Sequence, residues 1–137
     1  MTLPEKEQLI LNFNRCANWE EKYLYIIELG NKIPVVSSNL HHSDHIIYGC
    51  QSQVWIKITQ NIDGTVMFEG DSDSTIVKGL IAIIFIFYQK LSASDIIILD
   101  IGYWFNKLSL RQHITPTRSQ GIEAVIRFIR NSVKKFI

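Results

Sequence analysis

Residues 52–91 read SQVWIKITQNIDGTVMFEGDSDSTIVKGLIAIIFIFYQKL, and the fold class follows from this stretch. Ser52, Val54, Ile56 and Ile58 alternate with Gln53, Trp55 and Lys57, the period of two that sends successive side chains to opposite faces of a strand. Asp63–Gly64 is a hairpin turn signal, so Val66–Phe68 is predicted to return as a second, antiparallel strand. Asp71, Ser72, Asp73 and Ser74 then crowd a predicted helix N-terminus, where the helix dipole favours carboxylates and where Asp71 and Asp73 are expected as caps. The helix expected from about Thr75 to Leu91 is apolar around most of its circumference, which places it in the core. Its apolar run is too short for a membrane span, which takes about 18 residues or more.

Outward from this centre the pattern is helical. On the N-terminal side, residues 5–14 predict a short helix with Leu9, Ile10 and Phe13 on one face. Asn18 and Glu21 form a capping box for a second helix, expected to bury Tyr23, Ile26 and Ile27 and to stop at Gly30 in a left-handed position. A long polar connection, residues 32–49, then leads to the first strand, and connections of this length are uncommon unless functional or disordered. On the C-terminal side, Ser92 or Ser94 opens a helical turn and residues 104–110 predict another. A second capping box is read at Thr117–Gln120, before Ile122, Val125, Ile126, Ile129 and Val133 at helical spacing. Helices surrounding one small antiparallel sheet make an α+β fold, expected as one domain over residues 1–137.

Composition narrows the function. With 47% hydrophobic and 20% charged residues, a core is available and global disorder is excluded. The net charge of +1 gives no bulk pull toward nucleic acid or a membrane surface. Its distribution is uneven: residues 105–137 hold seven basic side chains and a single acid, Glu123. A polyanion site and a solvated helix end both account for that pattern. Cys16 and Cys50 are too few for a disulfide scaffold, and with no signal peptide in view the expected compartment is the cytoplasm. No Walker loop, GxGxxG, HExxH, GxSxG or CxxC occurs.

Cys50 is the most informative residue. It follows Gly49 at the end of the polar connection, where a thiol can project from a loop while the following strand anchors it; position alone leaves two readings, a reactive thiol and a small core residue. Cys16, between two helices, reads as packing. His41, His42 and His45 precede Cys50, and mixed His/Cys ligation suits zinc, but HHxxHxxxxC matches no structural zinc pattern.

The segment Gly49–Cys50–Gln51–Ser52–Gln53–Val54–Trp55 resembles the signature of the SufE family of sulfur-acceptor proteins. Three other segments agree with it: residues 15–23 (RCANWEEKY), residues 70–81 with GDSD followed by IVKGLI, and residues 113–121 (HITPTRSQG). The likeness runs through nearly the whole chain and is strongest to enteric-bacterial members. It implies a two-layer fold like that of IscU-type scaffolds, with Cys50 as acceptor of persulfide sulfur from the cysteine desulfurase SufS. By the same resemblance the chain is a carrier and desulfurase activator rather than an independent enzyme, passing sulfur to SufBCD-type machinery for iron–sulfur cluster assembly. It holds no cofactor or metal of its own, because the pyridoxal phosphate belongs to SufS. No nucleic acid or membrane is implied as a partner, and a homodimer is left open. Gly49, Gln51, Arg118 and Asp73 are the candidates for supporting the thiol or touching the partner. Two other readings compete: a non-covalent regulatory module for a desulfurase, and an interaction domain stabilised by zinc on His41, His45 and Cys50.

Overall fold

The computed structural model describes residues 3–34, 39–48 and 51–137, apart from the side chain of Ser43. Helices α1 (Lys6–Arg15) and α2 (Trp19–Gly30) lead, through a 3-10 turn at Ser43–His45, into strands β1 (Val54–Gln60) and β2 (Val66–Ser72). Helices α3 (Thr75–Tyr88), α4 (Ala93–Ile98), α5 (Ile101–Lys107) and α6 (Pro116–Val133) follow. The strands pair antiparallel from Val54↔Ser72 to Gln60↔Val66. The architecture is therefore α+β, as the alternation, turn and helical spacing predict.

The hairpin closes where Gly64 takes φ +89°, a conformation that suits glycine. Beyond Phe68 the structure departs from expectation, because β2 continues to Ser72. Gly70, beyond the expected end of the strand, pairs with Ile56, and its missing Cβ lets α3 close in: a Cβ there would lie 2.9 Å from the Phe85 ring. Phe68 stacks on the same ring at 5.0 Å between centroids, so α3 presses directly against β2.

Helix α3 is buried over nearly its whole surface, with Leu80, Ile81, Ala82, Ile83 and Ile84 at 1% exposure or less. It ends at Tyr88, short of the expected Leu91, and Lys90 then turns through φ +63°. Helix α2 covers one side of α3, β2 another, and α6 contributes Ile122, Val125, Ile129 and Val133 to the same core.

The approach of α2 to α3 is set by two glycines. A Cβ on Gly30 would sit 2.8 Å from the Gly79 backbone nitrogen, and one on Gly79 would meet Ile26 Cγ2 at 2.5 Å. Gly30 is thus a helical residue at a close crossing, followed by Asn31 at φ −69°, and not the left-handed stop expected of it. Tyr23 and Ile27, expected in the core, are only partly covered, and Leu29 is buried instead.

Caps explain the remaining shifts. Asn18 accepts from the Glu21 N–H at 3.0 Å, while Glu21 Oε1 accepts from Ala17 N–H, one residue before the position a capping box requires. Asp100 accepts from Tyr103 N–H, so α5 begins at Ile101, three residues before the expected 104–110 segment, which it overlaps as far as Lys107. Thr115 caps α6 by accepting from Arg118 N–H at 3.2 Å, and Pro116 occupies the first helical position, where its missing N–H costs nothing. The box read at Thr117–Gln120 therefore lies inside the first turn. At α3 the cap is Ser74, which accepts from Val77 N–H, so neither Asp71 nor Asp73 is the cap.

Candidate functional site

Gly49 and Cys50 lie outside the described residues, and so does the geometry of the thiol. Their neighbours in the chain are described. Gln51 and Ser52, joined to Cys50 by the next peptide bonds, form one wall of a cleft of about 50 Å³. The opposite wall is the first turns of α6, with Thr115, Thr117, Arg118, Gly121, Ile122 and Val125, and Val77 of α3 adds an apolar contact. The fold thus brings Gln51 and Arg118 together across a long sequence separation. The cleft has room for a water or two, or for one sulfur atom.

Its electrostatics favour an anion. The N-terminal end of α6 carries the positive end of the helix dipole, and Arg118 adds a full positive charge beside it. Among the described residues Arg118 takes part in no salt bridge. Arg118 also lines a crevice behind the cleft, where Trp19 stacks on His113 at 4.1 Å between ring centroids. That stack ties the start of α2 to the approach of α6.

Asp73 holds the other side. Its Oδ1 accepts from Gln53 N–H at 3.0 Å, while Ser72 Oγ donates to the Gln53 carbonyl at 2.8 Å. Both backbone polar groups of Gln53 are therefore pinned by the end of β2, three residues after Cys50. Asp71 works one step further out. It accepts from His41 Nε2 at 2.7 Å, pairs with Lys78 at 3.3 Å, and accepts from Ser72 N–H at 2.8 Å. Burial alone would raise the Asp71 pKa, but the bonds from His41 and Ser72 together with the Lys78 charge outweigh it and hold the carboxyl below its ordinary range. His41 also rests on the Trp55 ring at 4.4 Å, fixing residues 39–45 against β1 and β2.

The other histidines serve separate local contacts. His45 Nδ1 lies 3.0 Å from the Asn39 carbonyl oxygen, and His42 Nδ1 accepts from Asp44 N–H at 3.2 Å. Among the described residues no group of three or more His, Cys, Asp or Glu side chains is placed to hold a metal ion. Cys16 is half-buried against the Asn12 carbonyl at 3.5 Å, and burial, with Glu21 nearby, pushes its thiol pKa up. A thiol so placed is a poor nucleophile.

A family model for SufE, the Fe-S metabolism associated domain, matches residues 7–133. The chain belongs to the SufE family. Association with Fe–S metabolism follows from that membership. The same fold is seen in a solved structure, the solution structure of a hypothetical protein from Thermus thermophilus. It superposes with a TM-score of 0.78 at 18% identity, covering 99% of this chain and 98% of that one. No described helix is long and apolar enough to cross a membrane.

Sequence reasoning singles out Gln51, Arg118 and Asp73. It passes over Thr115, Thr117, Ser52 and Val77, although the Thr115–Pro116 pair is a helix-start signal that places Thr115 at the mouth of the cleft.

Proposed function

We propose that this chain is a sulfur carrier that takes persulfide sulfur from the cysteine desulfurase SufS onto Cys50. It raises desulfurase turnover by removing the product sulfur, and it delivers that sulfur to SufBCD-type cluster assembly. The observation that carries the reading is the cleft that Gln51, the residue after Cys50 in the chain, shares with Arg118 and the N-terminal turns of α6. Positive charge beside a thiol favours the thiolate, the form that attacks sulfur.

The step is a thiol exchange with no net oxidation. The Cys50 thiolate attacks the terminal sulfur of the donor persulfide, the donor's S–S bond breaks, and the donor cysteine leaves as a thiolate. One proton redistributes, and Cys50 ends as the persulfide. Arg118 and the α6 dipole serve the charged forms on either side of this step, and Asp73 and Ser72 anchor the chain that carries the thiol. Membership of the SufE family supports the link to Fe–S metabolism.

Intact mass measured after incubation with SufS and free cysteine tests the reading. The expected result is a sulfur adduct of about 32 Da, the mass of one added sulfur in a persulfide, mapped to Cys50. Cys50→Ser should lose it and Cys16→Ala should keep it. Faster desulfurase turnover with no adduct would establish non-covalent regulation instead. Stoichiometric zinc in untagged protein would favour the metal-stabilised alternative.

A further inference from the structure

The fold sorts the seven basic side chains of residues 105–137. Arg111 pairs with Glu123 at 3.3 Å, Arg118 lines the cleft, Lys107 lies over the Tyr103 ring and Lys135 over the Phe136 ring. The other three, Arg127, Arg130 and Lys134, share one groove with Asn131 and Ile97. Their spacing of three, four and seven residues places them on one face at the C-terminal end of α6, with Lys134 just past its last residue, Val133. No carboxylate lines this groove, and among the described residues none of the three cations forms a salt bridge. Arg130 is held by donating from Nη2 to the Ile97 carbonyl at 2.7 Å, while its buried Nε has no acceptor among the described residues.

The helix dipole explains only part of this arrangement. Its influence is confined to the last turn. It covers Arg130 and Lys134, but not Arg127, which stands six residues before the end of α6 at Val133. Three converging like charges repel one another until a negative group enters.

We propose that the groove is a docking surface for an acidic protein segment, one with carboxylates on both sides of an apolar side chain. The charges require the carboxylates. The apolar requirement comes from Ile97 in the groove; Ile98, the next residue of α4, is a bulky side chain left 79% exposed. A small apolar centre rimmed by arginine is the composition of a protein interface. A nucleic acid would need a longer basic track: Arg127 to Lys134 spans about 10 Å of helix, enough to meet few phosphates. Lys134 also lies about 24 Å along α6 from Arg118, so a partner seated here leaves the cleft free.

The test is a ¹⁵N NMR titration of the full chain with two capped peptides, EELLEE and EEEE, at low salt. The EELLEE peptide should bind more tightly than EEEE and shift the amides of Ile97, Ile98, Arg127, Arg130 and Lys134. Arg127→Glu with Lys134→Glu should weaken binding by about tenfold or more, through like-charge opposition. Both residues are exposed, so the fold should survive, with only a small drop in melting temperature from placing Glu at the negative end of α6. The gentler pair Arg127→Gln with Lys134→Gln should fall between. Cys50→Ser should bind as the parent does, which separates this proposal from the sulfur-carrier reading. Shifts spread over other surfaces, or binding unaffected by charge reversal, would overturn it. So would a short DNA duplex binding more tightly at the same residues, or inorganic phosphate reproducing the shifts at equal affinity.

Discussion

Replacing Gly79 with alanine puts a methyl group into the α2–α3 crossing. Its Cβ would lie 2.5 Å from Ile26 Cγ2 and 2.7 Å from the Ile26 carbonyl carbon, and closer still to the carbonyl oxygen. A side-chain methyl can rotate away, but the carbonyl is α2 backbone, so the two helices must separate by roughly an ångström to restore ordinary contact. Considered alone, a glycine-to-alanine change inside a helix stabilises by roughly 0.5–1 kcal/mol. Overpacking a filled core costs typically about 1–3 kcal/mol, and more when backbone must shift. The clash wins, and the expected net loss is about 2 kcal/mol. For a chain of this size that is a drop of roughly 5–10 °C in melting temperature. Urea unfolding followed by far-UV circular dichroism measures it directly. Gly30→Ala meets the Gly79 nitrogen at 2.8 Å and should cost less. The two losses should not add, since the first substitution already opens the crossing that the second needs. A Gly79→Ala protein as stable as the parent, or more so, would refute the close crossing and with it the account of both glycines.

Three further outcomes follow from the polar contacts around the cleft. Ser74→Ala removes the α3 cap and should cost about 0.5–1 kcal/mol, the low end for a cap because the bond to Val77 N–H is 3.4 Å long. Asp73→Ala should leave α3 intact and instead speed hydrogen exchange at the Gln53 amide; a loss of α3 helicity equal to that of Ser74→Ala would restore Asp73 as a cap. The depressed pKa of Asp71 gives its stabilisation a direction with pH. The contribution is complete above the ordinary carboxylate value, near about 4, and is lost as pH falls through the lower folded value. The urea-midpoint gap between the parent and Asp71→Asn should therefore narrow from about pH 4 downward, and a gap that widened there would contradict the assignment.

The elements set by local chemistry are legible in the chain. Alternation at residues 52–58, the Asp63–Gly64 turn and the apolar run after Ser74 each depend on neighbours a few positions away, and each appears in the structure close to its expected place. The misreadings come from residues whose reason lies elsewhere in the fold. Gly70 falls beyond the expected strand, although the Phe85 ring packs against it, and Gly30 looks like a helix stop until Gly79 arrives from the next helix. Asp73 looks like a cap because it precedes a helix, yet its acceptor oxygen is taken by the Gln53 N–H, just before β1. At the site, Arg118 stands out by resemblance and by its place at a helix start. Nothing local tells that it faces Gln51.

The burial of α3 also bears on how the chain is made. Its partners α2 and β2 precede it and leave the ribosome first, whereas α6 follows 28 positions after Tyr88, at Pro116. At about 5–20 residues per second that gap lasts roughly 1.5–6 s. For that interval one wall of a helix carrying a single charged residue, Lys78, has nothing to lie against. Nascent-chain chaperones would find their best purchase there, and slowed synthesis between residues 89 and 116 would lengthen the exposure without altering a single native contact.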